Sequence, residues 1–444
     1  MSLRRSSLAK LALAMGFSLS APASAVAQDI VSDEAFRAAP SWDDIARTLM
    51  NEGRLGEAAA VVDEQLAAAP NDVQARFLKG MLAIAKGEHR KAIRLFRGIL
   101  INQPSAGRVR LELARAFYLD KDYGNSLRQF QLALAGHPPA RVIANIRTYM
   151  AAIRASKTLS YSVGIAIAPD SNLNTGSAAR EVTLYGLPFD LSQDARHRSG
   201  VGVAAEAIGE WAPPIGPGRR LRLGLSMHRR DYSGTAFDDM SATAYAGPRL
   251  TGANWELSLL GTVYRRWYGS KAYNGAIGGR AEGTYYLQSG TSIAVALSAQ
   301  RIDYRRQRER NGFLLSLDAA AFHALTPSSG VTLKAGVGRQ NARLKPYASW
   351  SGFAAAGYFR DLPLGFSLYV EPSISLARYD AALPSFGVRR SDTTRSLTVT
   401  LLNRHLVLTR FTPRISYSWT RQNSSISLYD FTRSRIEIGV TTVF

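Results

Sequence analysis

The chain has 444 residues, 46% of them apolar and 20% charged, and 55 Lys and Arg against 34 Asp and Glu give a net charge of +21. This length and composition are sufficient for two folded domains and exclude intrinsic disorder as the main state. The chain contains no cysteine, which excludes disulfides, thiolate zinc sites, cysteine nucleophiles and a lipidated N-terminal cysteine. Beyond the N-terminus no run of roughly eighteen uncharged apolar residues appears, so a membrane-spanning part has to be a β-barrel.

The N-terminus is typical of an export signal. Basic residues precede an apolar stretch at 11–19, and small residues follow. Cleavage is expected after Ala27, with the bond after Ala25 as the alternative. Residues 1–27 are therefore assigned to a signal peptide, which implies the envelope of a Gram-negative cell.

A repeat follows the export signal. Pro70, Pro104 and Pro138 are spaced by 34 residues, and each closes a segment of helical period. This spacing is the tetratricopeptide period. Each unit has a small residue and then an apolar residue at matching positions, namely Ala58, Ala92 and Ser126, and Val62, Phe96 and Phe130. The pattern predicts a helical repeat domain over 28–157 that ends in a capping helix, although Arg76 and Arg110 stand where such repeats usually carry an aromatic residue.

At about residue 158 the periodicity of the apolar residues changes from helical to alternating, which marks the main predicted domain boundary. Alternation recurs in many segments down to the C-terminus, as in 159–167, 221–227, 293–297 and 436–444. Six short turns and seven longer connections separate these segments, so fourteen strands are predicted. The predicted fold is a two-domain α + β chain, with α-helical tetratricopeptide repeats followed by a 14-stranded antiparallel transmembrane β-barrel at 158–444.

The connections also predict an orientation in the outer membrane. An even number of strands places both ends of the barrel on one side. Because export delivers the repeats to the periplasm, the short turns are expected there and the long connections outside. Phe444, an aromatic residue at the end of the last alternating strand, is the expected recognition signal for the barrel-assembly machinery.

Arginine dominates the charge of the predicted barrel. Arginines on the long connections are expected to pair with lipopolysaccharide phosphates, and nucleic acid is not an expected partner. Other charged residues alternate toward the lumen, either as a cross-strand charge ladder or as a lining that contacts cargo. The predicted inward-facing residues are Glu206, Glu210, Arg220, Arg222, Glu256, Arg280, Glu282, Asp318, Lys334, Glu371, Arg410, Arg414, Arg435 and Glu437.

No catalytic or metal-binding pattern was found in the sequence. The six histidines lack metal-ligand spacing, and the GxSxG, Walker and HExxH motifs are absent. The chain is therefore predicted to be neither an enzyme nor a metalloprotein, and no cofactor is expected.

The end of the first predicted strand carries a Pro-Asp-Ser-Asn-x-Asn motif, with Pro169, Asp170, Asn172 and Asn174. The residues themselves predict only a turn. The motif resembles the opening of the barrel in the surface lipoprotein assembly modulator family, in which periplasmic tetratricopeptide repeats also precede a fourteen-strand barrel. The resemblance implies export of a client protein, either a surface lipoprotein or a secreted haem- or iron-scavenging factor, across the outer membrane.

The chain is therefore predicted to be a monomeric outer-membrane translocon whose periplasmic repeats capture the client. The alternatives are a polysaccharide exporter and a passive porin with an accessory repeat domain. Capture is assigned to the inner face of each first helix, at Asp43, Arg47, Gln74, Phe77, Met81, Arg108, Arg115 and Tyr118.

Overall fold

The computed structural model describes residues 40–156, 158–192, 195–287, 290–404, 406 and 411–442. The predicted signal peptide, Arg410 and Phe444 lie outside the described residues. The chain divides into two compact units, residues 1–95 and residues 96–444.

The described helices occupy the first part of the chain. They are α1 (Trp42–Asn51), α2 (Leu55–Ala68), α3 (Val73–Ala85), α4 (His89–Asn102), α5 (Gly107–Leu119), α6 (Tyr123–Leu134) and α7 (Ala140–Ser156). Aspartates begin two of them, because the side chain of Asp72 accepts hydrogen bonds from Gln74 N and Ala75 N, and that of Asp122 accepts one from Asn125 N. No described helix is long and apolar enough to cross a lipid bilayer.

The helices pack at the positions that the 34-residue period predicts. All six residues at the two matching repeat positions are fully buried, namely Ala58, Ala92, Ser126, Val62, Phe96 and Phe130. Ser126 also donates a hydrogen bond from its Oγ to the carbonyl of Ala114, 2.8 Å away on the preceding helix. The tetratricopeptide prediction is therefore confirmed, because small residues allow paired helices to approach and the apolar residue fills the space between them.

The second part of the chain is β-structure. The strands are β1 (Leu159–Asp170), β2 (Glu181–Leu184), β3 (Leu187–Asp190), β4 (Gly200–Trp211), β5 (Pro214–Gly216), β6 (Arg219–Tyr232), β7 (Asp239–Thr251), β8 (Trp255–Tyr268), β9 (Lys271–Tyr286), β10 (Thr291–Tyr304), β11 (Gly312–Thr326), β12 (Ser329–Gln340), β13 (Ser349–Asp361), β14 (Phe366–Leu383), β15 (Val388–Asn403), β16 (Thr412–Ser424) and β17 (Phe431–Thr441).

Fourteen of these strands form a closed antiparallel barrel. The pairings β1–β4, β4–β6 and β1–β17 join the ends of the sheet, while β2 and β3 form a separate hairpin and β5 is a three-residue edge on β6. The barrel strands contain 11 to 18 residues, more than the roughly 9–11 that cross a bilayer. The prediction of fourteen strands is confirmed.

Alternation along the strands separates an apolar outer face from a more polar inner one. Along β1, Val163, Ile165 and Ile167 are 42%, 53% and 59% exposed, whereas Ala166 and Ala168 between them are buried. Leu223, Leu257, Ile293 and Ile438 on other strands are also exposed. An aliphatic surface of this kind suits contact with lipid rather than water.

Two of the predicted long connections are shorter than expected. β8 and β9 are joined only by 269–270, and β14 and β15 only by 384–387. The strands on either side continue past the membrane-spanning length as hairpins with polar residues on both faces, and that composition suggested loops. The tight turn predicted at 403–405 includes His405, which lies outside the described residues, so it stays a prediction.

Candidate functional site

The predicted capture residues in residues 40–95 differ in exposure. Asp43 and Arg47 are partly exposed and form an ion pair one helical turn apart, with 3.5 Å between Oδ2 and Nε. Gln74 and Met81 are also partly exposed. Phe77 is 4% exposed and belongs to the buried core, so the prediction of Phe77 as a surface anchor is corrected. An aromatic side chain on a packed helix face is drawn into the core because burial removes its apolar surface from water.

In residues 96–444, Arg108 is exposed and Arg115 is partly exposed. Arg115 Nη1 lies 3.5 Å from Oε2 of the buried Glu112, and burial raises the pKa of Glu112. The Tyr118 ring packs against the Tyr149 ring, with 5.1 Å between their centroids. Tyr118 is therefore partly engaged in packing, and the two arginines present the more accessible polar groups of this predicted set.

The arginines that replace the usual repeat aromatic have a structural role. Arg76 donates from Nε to the carbonyl of Pro70 at 2.9 Å, and Arg110 donates from Nη2 to the carbonyl of Pro104 at 2.6 Å. Each arginine thus binds the proline carbonyl six residues upstream. The same contact is made in two repeats, at positions 34 residues apart where other tetratricopeptide repeats usually carry an aromatic residue.

Helices α5 to α7 contact the end of the barrel that carries the short turns. Arg154 on α7 is 8% exposed, donates from Nη2 to the carbonyl of Ala253 in the β7–β8 turn, and stacks over Tyr286 at 4.6 Å. Arg220 on β6 donates from Nη1 to the carbonyl of Ala155 at 2.7 Å. These two arginines tie the end of α7 to the barrel wall.

An apolar contact lies beside these polar ones. Leu132 and Ala135 pack with Ala324 of β11, and Phe322 and Phe359 pack against the same cluster. The two phenylalanine rings are stacked with 6.1 Å between their centroids. The helices are therefore held against this end of the barrel by both apolar and charged groups.

The predicted inward-facing charges form ion pairs around Glu210. Its carboxylate accepts from Arg222 at 2.6 Å, from Arg249 at 2.6 Å and from the Tyr245 hydroxyl at 2.7 Å. Arg222 on β6 also donates to Glu282 on β9 at 2.7 Å. Two strands lie between β6 and β9, and side chains converge over such a distance only on the concave face of a curved sheet.

Other predicted charges continue this network on neighbouring strands. Arg414 on β16 lies 3.1 Å from Glu206 on β4 and 3.3 Å from Glu437 on β17. The remaining contacts are Arg435–Glu437, Arg280–Glu282, Arg280–Asp318, Lys334–Glu371 and Arg154–Glu256. Each of the described residues predicted to face inward therefore has a charged or hydrogen-bonding partner on the protein itself.

The sequence did not indicate several members of this network, among them two residues on one strand and one on a helix. Arg249 and Tyr245 lie on β7, and Arg154 lies on the capping helix. The alternation of β7 could have placed the first two residues on the inner face. Nothing in the local sequence could have shown that Arg154, on a helix, contacts Glu256 on a strand about a hundred residues later.

The Pro-Asp-Ser-Asn-x-Asn motif does more than form the predicted turn. The Asp170 carboxylate is buried, accepts from Arg433 Nη2 at 2.5 Å and Nε at 3.0 Å, and accepts from the Tyr232 hydroxyl at 3.3 Å. Arg433 lies on β17, the last strand, and Tyr232 lies on β6. Asp170 therefore joins the first strand to the last strand, at the seam that closes the barrel.

Asn172 and Asn174 extend this connection into the long loop after β1. Asn172 is 1% exposed, and its Nδ2 donates to the carbonyls of Gly176 and of Thr432 on β17. Asn174 donates to the carbonyl of Arg196 at 2.7 Å and accepts from Arg198 N at 3.1 Å. Pro169 remains within β1 opposite Val201. The motif therefore fixes both the loop and the seam.

Among the described residues, no group of three or more His, Asp or Glu side chains is arranged to hold a metal ion. The described acidic residues predicted to face inward are instead engaged by arginine, lysine and tyrosine. The described inner face is therefore lined by charged residues that pair with one another.

Comparison with known families matches both parts of the chain. Residues 160–444 match the family described as "Surface lipoprotein assembly modifier". Residues 44–106 and 77–141 match the tetratricopeptide repeat.

Individual relatives agree with the family match. The chain is 22% identical over 371 residues to "Surface lipoprotein assembly modifier 1" of Haemophilus influenzae, covering 81% of this chain and 75% of that protein. It is 23% identical over 381 residues to "Surface lipoprotein assembly modifier" of Moraxella catarrhalis, covering 84% and 74%. Among solved structures, the Pseudomonas putida toluene transporter TodX matches with a TM-score of 0.38 and 10% identity, covering 70% of this chain and 94% of that one.

Proposed function

Because the chain belongs to the surface lipoprotein assembly modifier family, we propose that it exports a lipoprotein client from the periplasm to the cell surface. In this proposal the helical repeats capture the client and the barrel conducts it through the outer membrane. No chemical reaction is part of this function. The family is one of lipoprotein assembly and not a family of enzymes.

The observation that carries this proposal is the direct attachment of α5 to α7 to one end of the barrel. Arg154 and Arg220 bridge the end of α7 to β6 and to the β7–β8 turn. A client held by these helices is thereby presented at the barrel rather than at a distance from it. A passive porin needs no such attachment, since diffusing solutes reach its mouth unaided.

We assign capture chiefly to the polar residues that remain accessible, namely Arg108 and Arg115 in residues 96–444, and Asp43, Arg47 and Gln74 in residues 40–95. Arginine is common at protein interfaces because its planar guanidinium group makes several hydrogen bonds and also stacks on aromatic rings. Met81 and Tyr118 add partly exposed apolar area. Phe77 is removed from the predicted set because it is buried.

The orientation follows from the direction of export. We place the short-turn end and the repeats in the periplasm and the long connections outside, where exposed arginines such as Arg229 meet lipopolysaccharide phosphates. Insertion by the barrel-assembly machinery, with Phe444 as its recognition signal, and a monomeric state complete the proposal.

Cysteine labelling tests this orientation, since the chain has no cysteine of its own. Glu181→Cys in the β2–β3 hairpin is expected to react with a membrane-impermeant maleimide on intact cells. Ile215→Cys, in the short strand β5, is expected to react only after the outer membrane is permeabilised. Both side chains are exposed, so accessibility within the fold does not separate them. The reverse pattern would show that the orientation is wrong.

Export itself is tested by deleting the gene and following acylated proteins. Lipoproteins are labelled metabolically with an alkyne fatty acid, and intact cells are treated with proteinase K. At least one labelled protein is expected to lose its sensitivity to the protease while its total amount stays similar, because it remains in the periplasm. Restoring the gene should restore cleavage. Unchanged cleavage of every labelled protein, with a polysaccharide missing from the medium, would identify a polysaccharide exporter instead.

A further inference from the structure

Three arginines gather around one aspartate where α5 and α6 meet the barrel, and a fourth arginine lies near one of them. We call Arg97, Arg110, Arg128 and Arg404 the arginine cluster. Guanidinium nitrogens of Arg110, Arg128 and Arg404 lie 3.3, 3.7 and 3.5 Å from the carboxylate of Asp361, at the end of β13. Arg97 lies near enough to Arg404 for their charges to interact, and burial together with Arg404 lowers the pKa of Arg97.

The charges of this region do not balance. Among the described residues, the acidic groups that interact with the arginine cluster are Asp361 and, near Arg97, Asp122. The connection from 404 to 411 contains no Asp or Glu that could add a third carboxylate. In the part of the chain that the structure describes, two positive charges are therefore in excess. Like charges at close range in a partly buried setting repel strongly, so an arrangement of this kind calls for a counter-ion.

Hydrogen-bond donors are also in excess. The three distances to Asp361 are longer than a normal charged hydrogen bond of about 2.7–2.9 Å. The Nε of Arg110 is buried and has no hydrogen-bond partner among the described residues, although its other nitrogens bind Gln129 and Pro104. A buried donor without a partner is costly, and an ordered ion is one of the usual reasons that such a donor is tolerated.

The cluster has a buried floor and an accessible rim. Arg110 is 2% exposed and Asp361 is 9% exposed, whereas the side chains of Arg128 and Arg404 are 34% and 28% exposed. The guanidinium group of Arg128 lies over the Phe359 ring at 5.3 Å, and that of Arg97 lies over the Phe117 ring at 5.1 Å. Each of these two guanidinium groups is therefore held over an aromatic ring.

We propose that the arginine cluster is a binding site for a phosphate-class anion, either free phosphate or the phosphate of a lipid headgroup. A free phosphate dianion carries the charge needed to balance the excess, and the phosphodiester of a lipid headgroup balances half of it. The oxygens of either group can accept from several guanidinium groups at once. This site is independent of the proposed export function, since it requires only the folded chain.

The test uses the purified full-length protein in detergent at constant ionic strength. Inorganic phosphate is titrated by calorimetry, with chloride as the reference salt. The double variant Arg128→Gln/Arg404→Gln is expected to bind phosphate about tenfold or more weakly, because hydrogen bonds between charged groups are lost. Arg147→Gln, an exposed arginine on α7, is the matched control and is expected to bind like the wild type.

A further variant separates loss of the site from loss of the fold. Asp361→Asn removes the competing carboxylate charge, so it is expected to tighten phosphate binding several-fold, whereas general damage to the fold would weaken it. Phosphate binding that equals chloride binding, or that is unchanged in the double variant, would overturn the proposal.

Nanodiscs distinguish the two sources of the anion. In phosphate-free buffer, discs containing phosphatidylglycerol are compared with discs containing only phosphatidylcholine, and the lipid retained by the protein is measured by native mass spectrometry. Selective retention of phosphatidylglycerol that disappears in the double variant identifies a headgroup as the ligand. Binding of inorganic phosphate without such retention identifies the free anion.

Discussion

Replacing Asp170 with alanine is expected to destabilise the barrel by about 3–5 kcal/mol, the usual cost of removing one partner from a buried ion pair. The substitution leaves Arg433 facing a buried space and removes the acceptor of the Tyr232 hydroxyl and of Asn172 N. The loss falls on the β1–β17 seam, where the barrel closes. The free energy of unfolding in detergent, obtained from urea titration, measures the effect.

The matched control for this substitution is Asp190→Ala. Asp190 is an exposed aspartate at the end of β3, in the same long loop, and its replacement is expected to change stability by less than about 0.5 kcal/mol. Asp170→Asn should fall between the two, since it retains an acceptor but loses the charge. Equal stability of the two alanine variants would show that the motif does not hold the seam.

Removing residues 28–87 is expected to abolish client export while the barrel still inserts. The cut after Gly87 lies in the turn before α4, so it leaves α4 whole and removes most of the first compact unit. Residues 96–444 keep their own contacts, including those of Arg154 and Arg220 with the barrel. The last strand, with its C-terminal aromatic residue, also remains.

Two measurements separate insertion from export in this deletion. Insertion is followed by the change in gel mobility of the unheated protein, and export by proteinase K cleavage of alkyne-labelled lipoproteins on intact cells. A folded barrel without client cleavage is the expected result. Normal export by the shortened chain would show that capture needs none of the first repeats, and would leave Arg108 and Arg115 as the capture residues.

The repeats illustrate how local sequence determines structure. The small and apolar residues at the repeat positions, such as Ala58, Ser126 and Phe130, are fully buried as the 34-residue period predicts. Packing between successive helices in such a stack depends on residues close in sequence, so its pattern is visible in the chain. The prediction of Phe77 as a surface residue was wrong because periodicity identifies the face of a helix but not how deeply each side chain on that face is buried.

The sequence by itself determined the helical repeats, the number of strands and the face of each strand that meets lipid, because all three depend on periodicities of neighbouring residues. The tertiary structure alone decided the partners of the charged residues. Asp170 meets Arg433, Arg154 meets Tyr286, and Asp361 meets arginines from both the helices and the barrel. These contacts join residues up to about 260 positions apart. The local sequence around a charged residue does not identify its partner, because the two residues come together only when the barrel closes and the helices pack against it.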